Sequence, residues 1–259
     1  MLGAIAGDII GSVYERHNIT VTDFPLFDPQ ARFTDDTVLT VAVAEAILTG
    51  ADYVGKLREY FRLYPHRGYG PGFKRWAASD QMTPYFSRGN GSAMRVSPVG
   101  FAFESLEEVL QEAKRSAEVT HNTAEAIQGA QAIASAIFLA RKGEGKEGIK
   151  SYVERAFGYR LSVSLHDLRV FYGLDATCNG SVPHAIKAFL ESQSFEDAIR
   201  RAVAVGGDSD TIACMAGGIA QAFYGGVPQE IAEQVQAHLD ERLNRVVSEF
   251  MIRYGASRK

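Results

Sequence analysis

The chain has 259 residues, with 27 Lys and Arg against 31 Asp and Glu, a formal net charge of −4, and 46% apolar residues. That length can bury a core without disulfides, and the charge balance excludes a polycation built to wrap nucleic acid or coat an anionic membrane. The two cysteines, Cys178 and Cys214, stand far apart in no ligand-like spacing, which argues against a disulfide framework and a cysteine zinc site and fits a reducing compartment.

Met1 to Val13 is apolar but has no basic leader and carries Asp8, so it does not read as a targeting segment. Asn18 to Phe24 alternates briefly and could pair as a strand or remain a loop. Thr37 to Leu48 is apolar almost all round, the pattern of a helix buried on every side. Ala124 to Arg141 predicts a long alanine-rich helix. Its apolar run is broken by Glu125, Gln128 and Gln131, so it is not a membrane span. Leu161 to Leu165 is a second short alternation. Ser194 to Val205 starts with a cap and reads as an amphipathic helix. Thr211 to Tyr224 is again apolar nearly all round, and Gly217 and Gly218 let a neighbouring helix come close. Pro228 opens a last long helix running to about Arg253. No linker or repeat divides the chain, so one all-α domain over residues 1–259, in the cytoplasm, is expected, with two buried helices near its centre.

The entries to those two buried helices carry the functional signal. Thr34-Asp35-Asp36-Thr37 leads into the first, and Gly207-Asp208-Ser209-Asp210-Thr211 into the second. Helix capping accounts for one carboxylate at each entry. It does not account for two ahead of helices that lie inside the protein. Two carboxylates about 5 Å apart repel by roughly 3 kcal/mol at an effective dielectric of about 20, and desolvation adds to that. No Lys or Arg adjoins either cluster in sequence. A basic partner from elsewhere in the fold could compensate, but divalent cations do so more economically. If the helix starts meet, the donors are all oxygen, which suits Mg²⁺ or Mn²⁺ and disfavours zinc and copper. Four carboxylates exceed what one Mg²⁺ usually takes, which points to a two-metal site. A calcium loop is rejected, because the EF-hand glycine and glutamate are missing after Asp208.

Other clusters are more ambiguous. Asp8 reads as a cap or a supporting acceptor, and Glu15 as an exposed residue or one carried over a site by a loop. Ser87-Arg88-Gly89-Asn90-Gly91-Ser92 is a plain turn or a phosphate-binding loop, and it is not a Walker loop. His121, before the long helix, is a packing histidine or a ligand contact.

In order along the chain, Gly7-Asp8, Gly11-Ser12, Glu15, Phe33 to Thr37, Arg67 to Gly70, Gly89 to Arg95, Thr120-His121 and Gly207 to Thr211 resemble the ADP-ribosylglycohydrolase family. The resemblance implies an all-α orthogonal helical bundle with a central binuclear Mg²⁺ centre, Mn²⁺ in some members. It places the metal ligands at Thr34, Asp35, Asp36, Asp208, Asp210 and Thr211. It maps diphosphate binding onto Ser87, Arg88, Gly89, Asn90 and Gly91, the adenosine contact onto His121 and a flap glutamate onto Glu15. The expected reaction is hydrolysis at the anomeric carbon of an ADP-ribosyl group on a modified protein or related conjugate, with Glu15, Asp36 and Asp210 as catalytic residues. The competing expectations are an ADP-ribose-binding module without turnover and a dimetal nucleotide phosphohydrolase. Tyr14-Glu15-Arg16-His17 resembles the branch acting on serine-linked or polymeric ADP-ribose more than the arginine-directed branch. No nucleic-acid or membrane partner is expected.

Overall fold

A computed structural model describes residues 1–80 and 83–255. The first half holds α1 (Leu2–Gly11), α2 (Asp35–Thr49), α3 (Tyr53–Leu63), α4 (Pro71–Ala78), α5 (Gly91–Met94), α6 (Ser97–Ala102) and α7 (Leu106–Glu118). The second holds α8 (Ala124–Arg141), α9 (Lys146–Phe157), α10 (Leu165–Tyr172), α11 (Cys178–Glu191), α12 (Phe195–Val205), α13 (Ser209–Phe223), α14 (Gln229–His238) and α15 (Glu241–Tyr254). The protein is all-α, as the periodicity predicts. Among the described residues the extended backbone pairs only in an isolated antiparallel bridge between Gly89 and Thr177. No helix among the described residues is long and apolar enough to cross a membrane. Both cysteines are buried and free.

Two short alternations do not become strands. Without a neighbouring strand, their backbone groups turn to side chains. The Arg200 guanidinium donates to the carbonyls of Thr22 (2.9 Å) and Phe24 (2.7 Å). The Leu161 amide donates to Glu154 Oε1 at 2.8 Å, and its carbonyl accepts from Lys187 Nζ at 3.1 Å. The last helix is also two rather than one. Asp240 caps α15 by accepting from the Leu243 amide at 2.9 Å, and Asn244 Nδ2 donates to the Gln236 and Leu239 carbonyls at the break. A local cap thus overrides an apolar stripe that runs through both pieces.

The two all-apolar helices sit where their composition demands. α13 is buried from Ser209 to Ala222, and α2 from Asp36 to Ala44. α1 lies against α13 through a stripe of small residues, Gly3, Gly7 and Gly11. A Cβ on Gly7 would fall 2.0 Å from the Ala213 carbonyl oxygen, and one on Gly11 would fall 2.5 Å from Asp210 Cα. The facing Gly217 is equally tight, with 2.1 Å to the Gly3 carbonyl oxygen. This backbone-to-backbone contact brings Asp8 of α1 beside the first turn of α13.

Candidate functional site

The first turns of α2 and α13 meet inside the protein. Thr211 Oγ1 donates to Asp36 Oδ2 at 3.2 Å, joining residues far apart in the chain. Asp8 organises this meeting from α1. Its Oδ2 accepts from the amides of Thr34 (2.9 Å) and Thr37 (3.0 Å) and from the Thr37 hydroxyl. Its Oδ1 accepts from the Thr34 hydroxyl at 2.6 Å. Asp8 therefore caps α2 from another helix, the supporting-acceptor reading of this residue. Thr34 adds its own cap, with Oγ1 accepting from the Asp36 amide at 3.3 Å.

Asp8, Asp36 and Asp210 are buried and each offers an oxygen, with these atoms all within 4.8 Å of one another. Asp35 stands partly buried beside them. Its amide donates to the Arg67 carbonyl at 2.7 Å, and its carboxylate packs against Gly68, where a positive φ of 101° turns the loop. Asp208 is held from across the cleft by Asn90, whose Nδ2 donates to Asp208 Oδ2 at 2.7 Å and to Ser181 Oγ at 2.9 Å.

The electrostatics of this group are unfavourable for protein alone. Burial, then the charge of Asp8, pushes the Asp35 carboxyl up to about 8. Burial and neighbouring aspartates push Asp36 and Asp210 well above the usual carboxylate range. Asp8 is raised by burial and partly restored by the hydroxyls and amides it accepts from. Among the described residues, no Lys or Arg nitrogen comes within 4.0 Å of any of these aspartates. Among the described residues, Asp36 Oδ1 is buried with no hydrogen-bond partner. A buried carboxylate oxygen without a donor is costly, and a cation removes the cost. The donors are oxygen only, so the set fits a hard divalent ion.

The acids open onto a cleft of about 480 Å³. Thr34, Asp35, Asp36, Asp208, Asp210 and Thr211 all line it. Glu15 lines it from the exposed segment after α1. Asn18 fixes that segment: Nδ2 donates to the carbonyls of Tyr14 (2.7 Å), Glu15 (2.9 Å) and Gly207 (3.2 Å), and Oδ1 accepts from the Gly207 amide at 2.6 Å. Ser87, Gly89, Asn90, Gly91 and His121 line the far wall. Arg88 is the exception among the residues predicted as catalytic, substrate-binding or metal-ligating. Its side chain is 72% exposed, and its Nε pairs with Glu125 Oε2 at 2.9 Å instead of lining the cleft. Its main chain still fixes the loop, because the Arg88 carbonyl accepts from the Cys178 amide at 3.1 Å.

Sequence reasoning missed Asn18 and gave no separate role to Tyr85 or to Arg95, which also border the cleft. Arg95 was visible only as the end of a motif. Nothing local in the sequence shows that this arginine is buried or what it touches.

Comparison with known proteins assigns the family. The family model for ADP-ribosylglycohydrolase matches residues 1–258. The chain belongs to that family and is a glycohydrolase. ADP-ribosylhydrolase ARH3 of Homo sapiens is 28% identical over 87% of this chain and 84% of its own length. ADP-ribosylarginine hydrolase Tri1 of Pseudomonas putida is 27% identical over 91% of this chain and 72% of its own length. A solved structure titled ADP-ribosylglycohydrolase-related protein complex superposes with a TM-score of 0.72 at 26% identity, over 97% of this chain and 96% of that one.

Proposed function

We propose that this protein releases ADP-ribose from a modified protein side chain, or from a related ADP-ribosyl conjugate, by hydrolysing the bond at the anomeric carbon. The observation that carries this reading is the unpartnered, buried Asp36 Oδ1 where α2 and α13 meet beside the cleft. The names of the similar hydrolases from Homo sapiens and Pseudomonas putida support the substrate class. In this reading residues 1–259 form one domain acting in the cytoplasm, with 81–82 and 256–259 outside the described residues.

Thr34, Asp35, Asp36, Asp208, Asp210 and Thr211 would hold two Mg²⁺ ions, with Mn²⁺ as a substitute. Divalent ions there would neutralise the carboxylates, bind vicinal hydroxyls and acidify a water molecule. The protein's own groups prepare the site. The Thr34 hydroxyl donates to Asp8 and accepts from the Asp36 amide, which leaves one oxygen lone pair for a cation. Thr211 orients Asp36 by donating to it. Asp36 and Asp210 would stabilise positive charge developing on the ribose ring. Asn18 keeps the main chain of Glu15 at the cleft edge, where its carboxylate would move a proton to or from the acceptor. The backbone of Ser87 to Gly91 would receive the diphosphate and His121 the adenosine side. Arg88 would contribute through its main chain.

The acceptor separates the possibilities within this reading. The resemblance of the segment from Tyr14 to His17 favours serine-linked or polymeric ADP-ribose over arginine-linked ADP-ribose. Incubation with Ser- and Arg-modified peptides should release free ADP-ribose faster from the serine conjugate. Glu15→Ala should lower kcat by about a hundredfold or more while changing ADP-ribose affinity little. Tight ADP-ribose binding with no release from any conjugate would contradict hydrolysis, and phosphate release from an ADP-sugar would indicate phosphohydrolase chemistry instead.

A further inference from the structure

We propose that Arg95 and Thr120 form a relay that holds His121 as a neutral ring with its proton on Nε2, facing the glycine-rich loop. This rests on the reading of the cleft as the ADP-ribose site only for its consequence in binding. The relay itself is a matter of hydrogen-bond direction.

Arg95 follows α5 and is fully buried, at 0% exposure. Its Nη2 donates to the Ser116 carbonyl at 2.9 Å and to Thr120 Oγ1 at 2.8 Å. Nε and Nη1 find no acceptor, and no carboxylate pairs with the guanidinium among the described residues. An apolar side chain of similar volume would fill this space without the desolvation of a buried cation. The arginine therefore has a use other than packing.

A guanidinium can only donate, so Thr120 Oγ1 accepts from Arg95. The hydroxyl proton of Thr120 then has two directions. The Ala117 carbonyl lies at 3.5 Å, the outer limit of a hydrogen bond, and His121 Nδ1 lies at 2.7 Å. Accepting from a cation also makes the hydroxyl a better donor. The proton goes to Nδ1, and a neutral ring that accepts at Nδ1 carries its own proton on Nε2. Burial and the nearby Arg95 charge push the histidine well below its ordinary value, which keeps the ring neutral. Tyr85, also titratable, lies edge-on to the ring at 5.7 Å between centroids. Nε2 abuts the loop: a Cβ on Gly91 would lie 3.0 Å from it, and one on Gly89 would lie 3.7 Å away. His121 is thus fixed as a donor at the wall of the cleft. Arg95 and Thr120 are positioning residues.

The test is side-chain ¹H–¹⁵N correlation spectra of the Mg²⁺-loaded full-length protein at about pH 7, with His121 assigned by loss of its signals in His121→Asn. The wild-type is expected to show the Nε2-protonated tautomer. Thr120→Ser should keep that pattern, and Thr120→Val, which preserves shape but removes the relay, should lose it. ADP-ribose affinity should fall about tenfold in Thr120→Val, as for loss of one oriented hydrogen bond, and return in Thr120→Ser. An imidazolium or an Nδ1-protonated ring in the wild-type would overturn the proposal, whether or not the valine variant folds. So would a folded Thr120→Val protein with an unchanged tautomer. The wild-type spectrum decides the relay even if ADP-ribose fails to bind, an outcome that would count against the cleft reading alone.

Discussion

Asp36→Asn should make the metal-free protein more stable and the enzyme inactive. Asp36 is buried, one of its oxygens has no donor among the described residues, and Asp8, Asp35 and Asp208 add like charge around it. An amide of the same shape removes a carboxylate that the apo protein must either protonate or leave uncompensated. The amide nitrogen also gains carboxylates to donate to. A gain of about 1–3 kcal/mol is expected, and each kcal/mol raises Tm by about 2–4 °C in a chain of this size. Turnover should fall at least a hundredfold, because several kcal/mol of charge stabilisation near the reacting sugar is lost. Thermal melts in EDTA, set beside ADP-ribose release in Mg²⁺, give both numbers. A lower Tm with activity retained would mean that Asp36 is a structural acid satisfied by the fold.

The second large effect concerns pH. Asp35 has its carboxyl raised from 3.8 to about 8, chiefly by burial and next by Asp8. Asp36, Asp210 and Asp8 shift in the same direction. Between the unfolded and folded values, the folded protein binds more protons than the unfolded one. Stability of the metal-free protein therefore falls as pH rises across that window, from about 4 to about 8. This slope is opposite to that of carboxylates held in salt bridges. Saturating Mg²⁺ should flatten it, since cations take over the role of the protons. The apparent Mg²⁺ affinity should rise with pH over the same range, because ions displace protons. Denaturant unfolding at steps of pH, with EDTA and with Mg²⁺, measures both. Metal-free stability that rises steadily toward pH 8 would contradict the electrostatic account of the cluster.

What the sequence discloses about this site depends on how local each feature is. The entries Thr34–Thr37 and Gly207–Thr211 stand out because cap residues, acids and an all-apolar helix are contiguous. Their burial follows from the helices behind them. Asp8 stays ambiguous in sequence because the groups that define it, Thr34 and Thr37, come from another helix and reach it across the α1–α13 contact. The glycine stripe behind that contact is legible at Gly217. Its partner Gly3 is not, until α1 and α13 are laid together. Arg88 looks like a ligand residue beside glycines, yet Glu125 of α8 draws its guanidinium outward. Asn18 lies in a stretch that reads as a weak strand, and its tie to Gly207 has no local signature. The break at Asp240 shows the converse, a local cap that was present in the sequence and masked by a continuous apolar stripe.

In the proposed reading, divalent ions join the two acid-bearing helix starts and hydrolysis depends on them. The direct measurement is ADP-ribose release from a serine-ADP-ribosylated peptide by protein stripped with EDTA and dialysed, before and after Mg²⁺ is returned. No release is expected from the stripped protein, with full recovery on Mg²⁺ in the wild-type and no recovery in Asp210→Ala. Undiminished release by the stripped protein would contradict it.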